Sequence, residues 1–394
     1  MRGAPVEALV LSGNASYAAY EVGVVLALFS GQSSGCSFRP LHPLILSGTS
    51  AGGLNAALLA TLFNGDFLVA GRNLEQIWLR RIGRSPSDCD QSSYRVRLRP
   101  LLNPECIVEQ PVRSLTEVSR DSAYLAGQVF HRALNLVRGK ESFEHRLADT
   151  VDVGMFVSAD PMYKLVRETI DLPKLRHTQL RLRIAATNWR TGEPRIFINS
   201  DFSDENGHAM ILSSAAVPGI FPAVPIQGEP YVDGGIFLNT PLKPAIDAGA
   251  DIMHVIYMET AIRKMKIDEY SGTLDAILRT RNIANAAIIE ADLQTARREN
   301  STLAAMGKLA GGQRPTPREL YDFARAASQV NDQLLQSKRP RPLTIHIYHP
   351  SRVMGSSFGF ADFDAGAIRE MIERGFADAR SHDCAASGCV IPGR

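Results

Sequence analysis

No window of about 18 residues in this 394-residue chain is apolar throughout, so nothing in it reads as a membrane span. The first residues lack the basic, apolar and small-residue order of a secretory signal. Net charge is slight, +2 from 43 basic and 41 acidic side chains, which excludes strong non-specific attraction to nucleic acid. No internal repeat and no long low-complexity segment is present. The five cysteines, Cys36, Cys89, Cys106, Cys384 and Cys389, form no regular framework. An odd, scattered set suits a reducing compartment. What remains is the expectation of a soluble, cytoplasmic chain of enzyme size, long enough for one large α/β core or two modest ones. Near the C-terminus, Cys384 and Cys389 stand close to His382. A metal or redox site is one reading of that trio, and an unstructured tail is the other.

Alternating elements appear at once. Residues Glu7–Ser12 read as a buried strand and Tyr17–Phe29 as a helix; Pro43–Ser47 and Ser50–Phe63 repeat the pair. Strand–helix–strand–helix order predicts parallel strands with crossover helices. From about 73 to 177 the pattern changes. Arginine-rich pieces precede a long helical stretch near Val112–Arg138, with apolar residues recurring at three and four. That region reads as a helical insertion over the core. Core character returns with LRLRIAATNWRTGEPRIFI, two strands around a turn at Arg190–Glu193, and with the strand DIMHVIYM. A helix pair (Thr273–Thr302 and Pro317–Gln336), the strand PLTIHIYHP and an amphipathic helix at Ala367–Arg380 complete the chain.

The strongest local signal is LILSGTSAGGLNAALLA. Its GTSAG, Gly48–Gly52, lies between an apolar strand and an alanine-rich helix, the context a nucleophile elbow requires. Ser50 would stand at the helix N-terminus, where backbone N–H groups and the helix dipole favour developing negative charge. The Ala51 amide would be one oxyanion donor. The blander reading makes Ser50 a helix cap. An activated serine needs a base, and none of the nine histidines stands in a strong signature. His254 and His346 lie inside apolar strands; only His349, at a strand end, has the place of an α/β-hydrolase histidine. A second candidate is Asp233 in GEPYVDGGIFLNTPL, with Gly234 and Gly235 behind it. By itself that is an Asp-Gly turn.

Taken together, a glycine-type loop after the first strand, GTSAG after the second and DGG further on resemble the patatin-like phospholipases. That family has a G-G-G-x-[RK]-G loop, a G-x-S-x-G elbow and a D-G-[AG] motif. AATNWRTGE and SSAAVPGIFPAVPIQGEPYVDGGIFLNTPL are also similar to family segments, and the resemblance covers roughly residues 7–65 and 180–260. It implies a three-layer α/β/α fold, a central mostly parallel sheet and one domain over 1–394, carrying a helical insertion. It implies a Ser–Asp dyad that hydrolyses lipid acyl esters, with Ser50 as nucleophile and Asp233 as base, and no metal or organic cofactor. Desolvation in an apolar pocket would help such an aspartate accept the serine proton.

The first loop departs from the family pattern. Gly13, Asn14 and Ala15 fall on the three leading glycines, Tyr17 on the basic position and Ala18 on the last glycine. An oxyanion hole uses backbone N–H groups, which every non-proline residue supplies; alanine in a left-handed conformation costs roughly 1–2 kcal/mol. Gly13, Asn14, Ala15 and Ala51 are thus the expected oxyanion residues, supported by Gly48, Gly52, Gly234 and Gly235. The altered loop keeps open a second class, a catalytically impaired binding or scaffold protein. Arg80, Arg81, Arg84, Arg95, Arg97 and Arg99 face either anionic headgroups in a transient membrane contact or plain solvent, and the alternation of Arg95, Arg97 and Arg99 fits one exposed strand face.

Overall fold

A computed structural model of the chain describes residues 4–83, 94–102, 105–138, 157–258, 273–328, 342–352 and 363–393. Arg84, parts of the expected insertion (84–93, 103–104 and 139–156) and the end of the second helix of the pair lie outside the described residues. Period-two burial organises the centre. Strands β1 (Glu7–Leu11) and β2 (Ile45–Thr49) are buried on both faces, as crossover helices require. Leu9, Leu11 and Leu46 join one apolar cluster; Ala8, Val10 and Ile45 join another on the opposite face.

A short ribbon, β3 (Arg95–Val96) with β4 (Val157–Ser158), stands apart from the main sheet. That sheet continues through β5 (Arg181–Asn188), β6 (Pro194–Ile198), β7 (Val224–Ile226), β8 (Glu229–Asp233), β9 (Ile252–Ile256) and β10 (Thr344–Tyr348). Its order is β10-β9-β1-β2-β5-β8-β7, with β6 also on β5. The run from β10 to β5 is parallel, and the pairings of β6, β7 and β8 are antiparallel. Helices α1 (Ala18–Phe29), α2 (Ala51–Leu62) and α3 (Phe67–Ile77) cover one face. The other face is covered by segments further along the chain, so the architecture is α/β/α. The expected strands and helices are present, with ends displaced by about two residues at β2, where the apolar run starts before the ladder does, and with the helix expected over Thr273–Thr302 continuing to Ala310.

The excursion is smaller than the 73–177 expected. Leu74, Trp78 and Ile82 are core residues, the last two on a π-helical turn that follows α3. Helices α4 (Arg99–Leu102), α5 (Glu105–Glu109) and α6 (Pro111–Arg138) belong to the excursion itself. Beyond the β3–β4 stem, α7 (Asp160–Thr169) and α8 (Leu172–His177) bury Leu165, Val166, Leu172 and Leu175 in the core. The chain then adds α9 (Gly207–Ser213), α10 (Leu242–Asp247), α11 (Thr273–Ala310), α12 (Pro317–Ser328) and α13 (Ala365–Arg380). Ile289, Leu293 and Ala296 of α11 pack with α10 against the face of Ala8 and Val10, whereas α13 packs with α1 on the other. No described helix is long and apolar enough to cross a membrane.

Three expectations are corrected. The C-terminal tail is built rather than unstructured: Val390 exchanges two main-chain hydrogen bonds with Ile345 on β10, of 2.8 and 2.9 Å. Cys106 is disulfide-bonded, so the cysteines are not all thiols, while Cys36, Cys384 and Cys389 are free. Arg95 and Arg97 do not share an exposed strand face. Arg95 is buried and grips Asp121 of α6 with two hydrogen bonds of 2.5 and 2.6 Å. Arg97 lies over the Tyr124 ring, 3.9 Å from its centroid, and pairs with the same carboxylate. They lock α6 to the stem, because a buried carboxylate needs such partners.

Burial opposes the charge on Asp121, but hydrogen bonds from Arg95 and the Leu98 amide hold its carboxyl below the ordinary 3.8. A lowered value means that this stabilisation is present in full above about pH 4 and is lost as acid protonates the group. Asp121→Asn should therefore loosen the excursion by about 3 kcal/mol at neutral pH. Hydrogen exchange over 105–138 will read this as faster exchange there than in the sheet, and acidification of the unsubstituted chain should reproduce it.

Candidate active site

β5 changes partner halfway along one edge. Its first half pairs with β2, which runs parallel, as far as Thr49 opposite Ala185. At the next residue, Ala186, the partner is Asp233, the last residue of antiparallel β8. β6 occupies the other edge over both positions. The C-terminal ends of β2 and β8 therefore meet head to head, and Ser50 leaves the sheet one position from Asp233. The register of three strands brings together residues 183 apart in sequence.

Ser50 is the sharp point of the turn. Its φ of 54° and ψ of −128° lie where side chains are strained, and it makes no capping hydrogen bond to α2. The hydroxyl is not serving as a helix cap. Its backbone N–H donates to Ser214 Oγ at 2.8 Å, and Ser214 in turn donates to the Ala185 carbonyl at 2.6 Å. Thr49 Oγ1 donates to Leu238 O and Ser47 Oγ to Pro241 O, tying β2 to the segment behind Asp233. Gly52 admits the loop after β1, since a Cβ there would lie 2.5 Å from the Leu11 carbonyl oxygen.

Asp233 is fully buried. Its Oδ1 accepts the Gly235 N–H at 2.6 Å and an Arg281 N–H at 3.1 Å. Among the described residues its Oδ2 has no hydrogen-bond partner. One oxygen is thus held by an amide and a guanidinium, and the other is unengaged. Buried polar atoms are normally satisfied, so an orphan oxygen here is a chemical resource. Among the described residues no hydrogen bond yet joins the Ser50 hydroxyl to Asp233, a looseness common before substrate arrives.

The opening loop divides its labour differently from expectation. Gly13 is needed for space, because a Cβ would lie 2.6 Å from the Ser50 Cβ and 2.8 Å from Asn239 Oδ1. Its N–H donates to the Asn239 carbonyl at 3.2 Å, so it is already engaged. Asn14, at φ −166°, is not in the left-handed region. The left-handed residue is Ala15, at φ 48°, which keeps the path that glycine would make easy. No hydrogen bond within the described residues takes the amides of Asn14, Ala15 or Ala51. Gly48 and Gly234 both face main-chain atoms, of Gly52 and Ala185 respectively.

His349 does not reach this place. It follows edge strand β10, three strands from β2, roughly 14 Å at ordinary strand spacing, and its Nδ1 contacts the Pro350 carbonyl. Buried His254 is held neutral, its pKa pushed by burial down to about 3. Sequence reasoning missed Ser214, Asn239 and Arg281. Ser214 lay in a quoted segment with its polar role unmarked. Arg281 is an unremarkable basic residue of a long helix, and only the tertiary fold reveals it.

Replacing Ser50 with glycine removes the strain at φ 54° together with the hydroxyl. Ser50→Gly should raise the unfolding free energy by roughly 1–2 kcal/mol while Ser50→Ala, which keeps a Cβ, should not. Equilibrium denaturation of the three proteins checks the difference.

Comparison with known proteins places the chain. One solved structure similar to it is VipD from Legionella pneumophila, at 13% identity and a TM-score of 0.35, covering 96% of this chain and 67% of that one. A family model described as Patatin-like phospholipase matches residues 9–246, more than half of the chain and including both Ser50 and Asp233. The chain belongs to the patatin-like phospholipase family.

Proposed function

We propose that the protein hydrolyses carboxylic esters of lipids, of the phospholipase A or lysophospholipase type, with Ser50 as nucleophile and Asp233 as general base. The observation that carries this reading is the unpartnered Asp233 Oδ2, buried one β5 position from the point where Ser50 leaves the sheet. Oδ2 takes the Ser50 Oγ proton as Oγ attacks the ester carbonyl. The tetrahedral oxyanion is met by the amides of Asn14, Ala15 and Ala51, at the N-terminus of α2. Collapse breaks the bond to the leaving alkoxide, which takes the proton back from Asp233 and departs as an alcohol. Water, deprotonated by Asp233, attacks the acyl-Ser50 ester, and the fatty acid leaves as Ser50 regains its proton. Arg281 and the Gly235 amide fix Oδ1, so that Oδ2 keeps one orientation. Ala15 supports a working loop, since its left-handed backbone follows the route the family writes in glycine.

Turnover of a short-chain p-nitrophenyl ester tests the dyad. Ser50→Ala should fall to background, Asp233→Asn should lose about 10²–10⁴-fold in rate, and His349→Ala should match the unsubstituted chain. Background rates in all four proteins, with and without vesicles, would instead favour a binding protein.

The membrane contact in this reading is apolar rather than ionic. Arg95 and Arg97 are committed to Asp121, whereas Val108, Val112 and Leu115 of α5 and α6 are each more than 60% exposed. Such side chains insert at the headgroup boundary. Co-sedimentation with zwitterionic and with anionic vesicles should give similar binding, and Val112→Glu with Leu115→Glu should weaken both. Binding confined to anionic vesicles would contradict this assignment.

A further inference from the structure

Outside the family-matched region the fold gathers four metal-ligating side chains. They are His346 of β10 and His382, Cys384 and Cys389 of the tail, with their ligand atoms all within 4.8 Å of one another. His382 is buried and the other three are half-buried. His346 Nδ1 lies 3.4 Å from Cys384 Sγ, and His382 Nε2 lies 3.4 Å from Cys384 Sγ and 3.5 Å from Cys389 Sγ.

Those separations suit a common centre. With Zn–S of about 2.3 Å and Zn–N of about 2.05 Å at tetrahedral angles, N and S ligands stand roughly 3.6 Å apart. Pairwise thiol–imidazole hydrogen bonds would require no such convergence of four residues from two segments. The surroundings suit ligands too. The Ile347 N–H donates to Cys389 Sγ at 3.3 Å, as an amide would to a thiolate. Ser387 Oγ lies 3.5 Å from His382 Nδ1, the ring nitrogen turned away from the cluster. Partners of this kind orient ligands. The Cys384–Cys389 loop is closed by its own main chain, with Cys389 N–H donating to Cys384 O at 3.0 Å.

We propose that His346, His382, Cys384 and Cys389 form a structural zinc site that fastens the C-terminal tail to the edge strand β10. Two thiolates balance the ion's charge, and mixed nitrogen and sulfur donors in tetrahedral array select zinc over hard cations. Four protein ligands leave no open position, so the ion holds the tail and takes no part in ester hydrolysis. This inference does not depend on the Ser50–Asp233 reading.

Metal analysis of the full chain tests it, after production with zinc under reducing conditions and desalting. About one zinc per chain is expected, falling at least tenfold in Cys389→Ser and in His382→Gln and unchanged in Cys36→Ser. Cobalt(II) offered to the unsubstituted metal-free chain should give the visible and thiolate charge-transfer bands of a tetrahedral site, which keeps the test decisive if a variant fails to fold. A strong chelator should lower the Tm of the zinc-loaded chain. Only trace zinc in the unsubstituted chain, equal zinc in Cys389→Ser, no cobalt spectrum, or a Cys384–Cys389 disulfide under those conditions would overturn the proposal.

Discussion

The exchange of partners along one edge of β5 is the constraint on which the proposed site rests. A parallel strand and an antiparallel strand end at consecutive positions, Ala185 and Ala186, so the chain must leave the sheet twice in the same small volume. The seam also exposes a carbonyl. Ser214 takes the Ala185 oxygen and returns its own oxygen to the Ser50 amide, so one hydroxyl joins the sheet to the strained residue. Sheet burial on both faces gives this seam its rigidity, and that rigidity allows unfavourable local geometry to persist.

Three such costs are concentrated there: Ser50 at φ 54°, Ala15 at φ 48°, and a buried carboxylate oxygen without a partner among the described residues. None of them is explained by packing alone. Their coincidence supports the reading of an ester-hydrolysing dyad more than any single motif does. The substituted loop is accommodated because the backbone path, not the side chain, supplies the donors. Gly13 is the member of the loop that cannot change, since the space for a side chain is occupied by Ser50 itself.

Much of this was legible in the sequence. GTSAG and DGG are local signals, because a sharp turn and a close approach restrict residue type where they occur. Alternating strands and helices likewise announced a parallel sheet. The supporting contacts were not legible, and the reason is distance along the chain. Arg281 reaches Asp233 from a helix 48 residues on, and His346 meets His382 only because Val390 pairs with β10. Arg95 and Arg97 misled for a related reason: alternation predicts a shared face only in a strand, and this strand lasts two residues. A single carboxylate on α6 then drew both guanidinium groups inward.

The most direct test of the central claim is covalent. An activated serine attacks a fluorophosphonate, losing fluoride and keeping the phosphonyl group, whereas an ordinary hydroxyl does not. Peptide mass analysis after exposure should find one adduct, on Ser50, with labelling slowed strongly in Asp233→Asn. An unlabelled chain, an adduct elsewhere, or labelling of Ser50 at the same rate without the Asp233 carboxylate would contradict the account.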